Sequence, residues 1–192
     1  MGRPSVKSER RQQILDAYEA CVARYGVEGA SLEVIAETAG LARPLIRYNV
    51  GNRNDLLEAL VERFLSRFDD AVNRTIAALP ASGAADKFID WLFDPTYSDT
   101  RSVLVAEALI AASQNDPALA ERMRAWTRRF SAAIKEVLEV DHAANDPDVL
   151  DAVSTGIAGI YFNSECLTPL GPMKDVRQAS KRAAKLLLGV LG

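Results

Sequence analysis

Apolar residues along this 192-residue chain recur mainly at three- and four-residue intervals, the period of amphipathic helices. No segment sustains an alternation of β-branched residues, so no strands are expected. Ile14, Tyr18, Cys21, Val22 and Tyr25 share one face of a first helix, and Gly26 is a natural stop. A short helix follows, with Ser31 as N-cap and Leu32, Ile35, Ala36 and Ala39 as its apolar side. Gly40 breaks the chain, and a third short helix is predicted from about Arg43 to Asn49. Pro44 falls in its first turn, where a missing N–H costs nothing. Asn52 caps a fourth helix, with Asp55 three residues on in capping-box register. Its apolar positions, from Leu56 and Leu57 through Leu60, Phe64, Phe68, Val72 and Ile76 to Leu79, run for more than six turns before Pro80 to Gly83 end it. Further helices are predicted at about 84–93, 99–114, 117–140, 147–167 and 174–190. Asp116-Pro117 and Asp146-Pro147 are cap-plus-proline starts, and Pro169 to Pro172 form a break.

Composition narrows the class. With 48% hydrophobic residues and a formal charge of −3, the chain can bury a core and is not expected to be disordered. Alanine supplies 30 residues, in keeping with helix throughout. No apolar run reaches ten residues, so no membrane-spanning segment is expected. No hydrophobic segment follows the first basic residues, so a secretory signal is not expected and the protein is placed in the cytoplasm. Cys21 and Cys166 form no C-x-x-C pair, and His142, the only histidine, lies in a polar stretch. That is a poor supply for a metal site or a cysteine–histidine pair. There is also no Glu-x-x-His motif and no glycine-rich phosphate loop. Neither an enzyme nor a bound cofactor is expected.

The near-neutral total hides an asymmetry. Residues 1–54 hold eight Lys/Arg against six Asp/Glu, whereas the remainder holds 15 against 20. The basic charge clusters in residues 1–13 (Arg3, Lys7, Arg10, Arg11) and again in 40–54, where Arg43, Arg47 and Arg53 have no acid among them. Two cationic clusters on an acidic chain point to an anionic partner at one end; a merely solvated surface is the plainer alternative.

Residues 31–50 form a helix, a glycine-containing turn and a second helix, the helix-turn-helix arrangement whose second helix can enter the DNA major groove. That second helix is expected to expose Arg43, Arg47, Tyr48 and Asn49, with Pro44 and Leu45 counted among its contacts. Arginine can read guanine edges and asparagine adenine. Lys7, with Arg3 and Arg10, offers a basic tail for phosphate or minor groove.

The segment from about Arg10 to Leu60 resembles the DNA-binding region of TetR-type transcriptional regulators. The matching residues are Arg11, Ile14-Leu15, Gly26, Ser31, Ile35-Ala36, Ala39-Gly40-Leu41, Asn52-Arg53 and Leu56-Leu57. The resemblance implies a phosphate contact for Arg53 and for the Ser31 hydroxyl, which also caps its helix. One departure stands out: the family's common Leu-Tyr-x-His-Phe ending is Ile46-Arg47-Tyr48-Asn49-Val50 here. Either Arg47 or Tyr48 therefore inherits the family tyrosine's phosphate contact.

The expected architecture is all-α. An N-terminal three-helix helix-turn-helix domain (residues 1–54) is joined by a long helix to a helical ligand-binding and dimerisation domain (55–192). Ala152, Thr155, Gly156 and Gly159 are small residues on one helical face, and Leu186, Leu187 and Val190 stripe the last helix. The resemblance implies a homodimer through this terminal pair; an intramolecular core is the alternative. It also implies a small-molecule pocket, for which Trp91, Tyr97, Trp126, Phe130, Tyr161 and Glu165 are the candidate lining, with ordinary core packing as the competing role for each aromatic. The functional expectation is a ligand-responsive regulator, a repressor, that binds a palindromic double-stranded operator. The competing reading is an all-helical small-molecule-binding or adaptor protein without DNA.

Overall fold

A computed structural model of the chain describes residues 6–192. Among the described residues there are nine α-helices and no strand. They are α1 (Val6–Gly29), α2 (Leu32–Ala39), α3 (Arg43–Val50), α4 (Arg53–Ala77), α5 (Ala84–Leu92), α6 (Thr100–Ala112), α7 (Pro117–His142), α8 (Pro147–Cys166) and α9 (Lys174–Leu188). Short 3-10 turns lie at Pro95–Tyr97, Ser113–Asn115 and Thr168–Leu170. No described helix is long and apolar enough to cross a membrane.

The boundaries follow from caps. Ser31 accepts the Val34 amide at 3.3 Å, and Gly40 closes α2 in the left-handed region at φ 64°. The Asn52–Asp55 box forms in both directions. Asn52 Oδ1 accepts the Asp55 amide at 3.1 Å, and Asp55 Oδ2 accepts the Asn52 amide at 2.8 Å. α1 does not finish at Gly26, yet its helical path is broken there, at φ 71°. Tyr25, expected on the apolar face, is exposed instead, with the Arg24 guanidinium 5.0 Å from its ring centroid. Tyr25 is the last residue before that break.

The chain divides into two compact units. One holds the chain up to Ser66 together with Leu104–Ala120; the other holds Arg67–Val103 and Glu121–Gly192. The core of the first is built from Ile14, Tyr18 and Val22 of α1, Ile35 of α2, Ile46 of α3, and Leu56 and Leu60 of α4. Helices α1, α2 and α3 all pack on one another. Two polar links reinforce them: Gln13 Nε2 donates to the Ala39 carbonyl at 2.9 Å, and Arg63 of α4 pairs with Asp16 and Glu19 of α1. In the second unit, Phe88, Ile89, Phe130, Ile134, Leu138, Leu150, Ile157 and Ala184 form a continuous core, with α9 laid against α5 and α8. Asp141 of α7 supplies the cap that Gly83 lacks. It accepts the Gly83 amide at 2.8 Å and the Ala85 amide at 3.1 Å, and these backbone bonds hold its carboxyl below the ordinary aspartate range.

Candidate functional site

The face of α3 is set by which residues the core of the first unit claims. Ile46, Asn49 and Val50 are buried, which leaves Arg43, Pro44, Leu45, Arg47 and Tyr48 on the exposed side. Tyr48 is 76% exposed, and Lys7 Nζ of α1 lies 5.9 Å from its ring centroid, within reach of a cation–π contact. Arg47 is exposed and makes no ion pair among the described residues. Arg43 pairs with Glu33 of α2. The Glu33 carboxyl is held below its usual range, first by its own backbone amide and then by Arg43.

Asn49 corrects the sequence expectation. It is not displayed for adenine: only 9% exposed, it donates Nδ2 to the Leu45 carbonyl one turn back at 2.8 Å. An asparagine facing the core must satisfy its amide locally, and the carbonyl one turn back is the nearest acceptor. Ser31 is half-buried and occupied as an N-cap. Arg53 is tied to the end of α1, donating Nη2 to the Val27 carbonyl at 3.0 Å and to Glu28 at 2.9 Å. Arg10 is half-buried, and Arg3 lies outside the described residues.

The candidate dimer residues divide. Ala152, Thr155 and Gly159 lie exposed along α8, Leu186 is exposed in the last turn of α9, and Val190 is exposed just beyond its end. Gly156 and Leu187 do not join them. They meet within the chain, so closely that a Cβ at position 156 would stand 2.9 Å from Leu187 Cδ1, and Leu187 packs on the core. A side chain at position 156 would push the end of the Leu187 side chain aside, so the glycine of the small-residue stripe faces α9 of its own chain.

The aromatic candidates also divide. Trp126, Phe130 and Tyr161 interlock with Phe68 and Phe162 through ring centroids 5.1–5.3 Å apart, and Trp126 and Phe130 are buried. Trp91 lies 5.5 Å from Phe88 and 5.9 Å from the exposed Tyr97. Glu165 is buried and bonded to Ser98 and Arg177.

None of the six lines the cavity of about 820 Å3 in the second unit. That cavity is formed by the end of α5, the Pro95–Tyr97 turn, the start of α6, the end of α8, the Thr168–Leu170 turn and the start of α9. Its polar residues Ser98, Ser164, Thr168 and Arg177 come from segments far apart in sequence and follow no local spacing. Only a basic residue one turn inside an amphipathic helix, Arg177, could have hinted at it.

No family model matches the chain. It is 29% identical over 133 residues to the HTH-type transcriptional regulator BetI of Escherichia coli, covering 68% of each chain. Its fold is similar to that of a TetR transcription regulator from Haloarcula marismortui, with a TM-score of 0.77 at 15% identity over 95% of this chain and 98% of the other. It also resembles the multidrug binding protein EbrR, solved with imidazole, with a TM-score of 0.61 at 22% identity over 96% of each chain.

Proposed function

We propose that this chain, which has the fold of the TetR-type transcriptional regulators, is a ligand-responsive repressor that binds a palindromic operator as a homodimer. The single observation that carries the reading is α3, an eight-residue helix with no acid of its own. Its inward residues anchor it, while Arg43, Leu45, Arg47 and Tyr48 stand outward together. Residues 1–54 are the DNA-reading part and 55–192 carry dimerisation and the effector. Arg47 and Arg43 read guanine edges or phosphate, Pro44 and Leu45 offer apolar contact to thymine methyls, and Tyr48 takes the phosphate contact. Lys7, Arg53 and the Ser31 hydroxyl contribute further backbone contacts.

Two copies related by a two-fold axis would combine the binding free energies of two modest heads and read two half-sites. The exposed line of Ala152, Thr155 and Gly159, flanked by Leu186 and Val190, is the self-complementary face that supports pairing. The protein works in the cytoplasm, where its operator is. The effector acts by population shift. It must bind the DNA-competent and DNA-incompetent states with different affinity, and α4, which starts in the DNA-reading part and continues into the second unit, is the covalent route between them.

Fluorescence anisotropy with DNA from upstream of the protein's own gene tests this. Four to eight phosphate contacts per dimer predict a slope of log affinity against log salt of about −4 to −7. Replacing Arg43 and Arg47 together by alanine should weaken binding by more than about tenfold. Salt-insensitive binding, or a double variant that binds as well as the original, refutes the proposal.

A further inference from the structure

The cavity of about 820 Å3 falls in the size range of small-molecule sites. Phe93, Leu167, Met173 and Val176 give it apolar walls, and Asp90, Asp94, Lys174, Arg177 and Lys181 bring charge to it. Most of that charge is engaged inside the protein, all but that of the exposed Lys174. Arg177 donates Nη1 to Glu165 at 2.6 Å and Nη2 to the Ser98 and Thr168 hydroxyls at 3.3 Å each. Ser98 donates to the second Glu165 oxygen at 2.8 Å. The Arg177 and Glu165 side chains are only 15% and 10% exposed. Asp90 is held by both Lys181 and Lys185 at 2.8 Å. Asp94 accepts the Thr96 amide at 2.8 Å, capping its turn.

The pairing of these charges decides the ligand class. A charged ligand seeking Arg177 or Glu165 as its partner would have to open their pair and strand one of two largely buried charges, which is costly. An uncharged ligand leaves the network whole. What remains available is hydroxyl capacity. Thr168 accepts from Arg177 but uses its proton on no described partner. Ser164, buried on the α8 wall, has a hydroxyl with no hydrogen-bond partner among the described residues. A buried hydroxyl of that kind is a donor in search of an acceptor.

We infer that this cavity binds an uncharged, largely apolar small molecule bearing a ketone- or ester-type acceptor oxygen, held by the hydroxyls of Thr168 and Ser164. As the seat of the effector it rests on the regulator reading; as a binding site it stands on its own geometry.

Titration calorimetry on the full chain without DNA, using octan-2-one and 4-phenylbutan-2-one, tests it, with octanoate and octylammonium as charged counterparts. One saturable ketone site per chain is expected, with both ions at least about tenfold weaker. Thr168→Val and Ser164→Ala should each weaken ketone binding about fivefold, the worth of one hydrogen bond. Val176→Trp should abolish it by filling the space, and circular dichroism melts check that each variant is folded. Absence of saturable ketone binding overturns the inference, as do ions that bind as tightly as the ketones, or ketone binding indifferent to both hydroxyl variants. DNA anisotropy on the same protein without ketone tests the regulator reading separately: failure there leaves the calorimetric result on the cavity standing.

Discussion

Arg63→Met probes the joint that holds the recognition unit together. Arg63 rises from α4 with its side chain 13% exposed and meets two acids of α1. Asp16 is well exposed and its pairing adds little. Glu19 is the one that matters, because its side chain is only 12% exposed and its carboxylate lies 3.5 Å from Arg63 Nε. Removing one partner of a buried pair costs about 3–5 kcal/mol, chiefly as the penalty on the charge left behind. The contact is at the long end and Glu19 keeps some access to water, so about 2–3 kcal/mol is expected. Methionine retains the apolar stem, so packing loss contributes little. At roughly 2–4 °C per kcal/mol for a chain of this size, the melting temperature should fall by about 4–12 °C. Urea denaturation followed by circular dichroism measures the cost directly. Adding Glu19→Gln removes the carboxylate that has lost its Arg63 contact and should return part of the loss, so the pair shows up as coupling in a double-mutant cycle. A loss below about 0.5 kcal/mol in Arg63→Met, or no recovery in the double variant, would refute the reasoning.

Three further outcomes follow from the same geometry. Asn49→Ala removes a buried hydrogen bond and should cost about 1 kcal/mol of stability while leaving base preference in a binding-site selection unchanged; a changed preference at an adenine would show that Asn49 reads DNA after all. Asp141→Asn should lower the melting temperature at neutral pH, because the carboxylate caps α5. Since the folded-state value of Asp141 is depressed, its contribution is present above the unfolded value near 3.9 and is lost as pH falls through the lower folded value, so the gap between the two proteins should narrow as the pH is taken below about 3.9. Leu186→Glu together with Val190→Glu should shift sedimentation towards monomer and weaken operator binding; unchanged sedimentation would remove these residues from the dimer face.

By itself the sequence determined what depends on neighbours within a turn or two. The helical period, the Ser31 cap, the Asn52–Asp55 box, the proline start of α3 and the all-α class are local, because caps and periodicity act over three or four residues. The acid-free arginines of the second basic cluster were also legible, since composition is not altered by folding. Tertiary structure decided the rotation of each helix about its own axis. Tyr48 and Asn49 are adjacent and both polar, yet one is outward and the other buried, because the phase of so short a helix is set by Ile46 and Val50 against the core of the first unit. In the same way Gly156 turned out to face Leu187 of α9, thirty-one positions later. Arg53 found a carbonyl at Val27, and the cavity drew Ser98, Thr168 and Arg177 into one network. Such contacts cost loop-closure entropy that only the assembled core offsets, and no spacing along the chain records which of them that core selects.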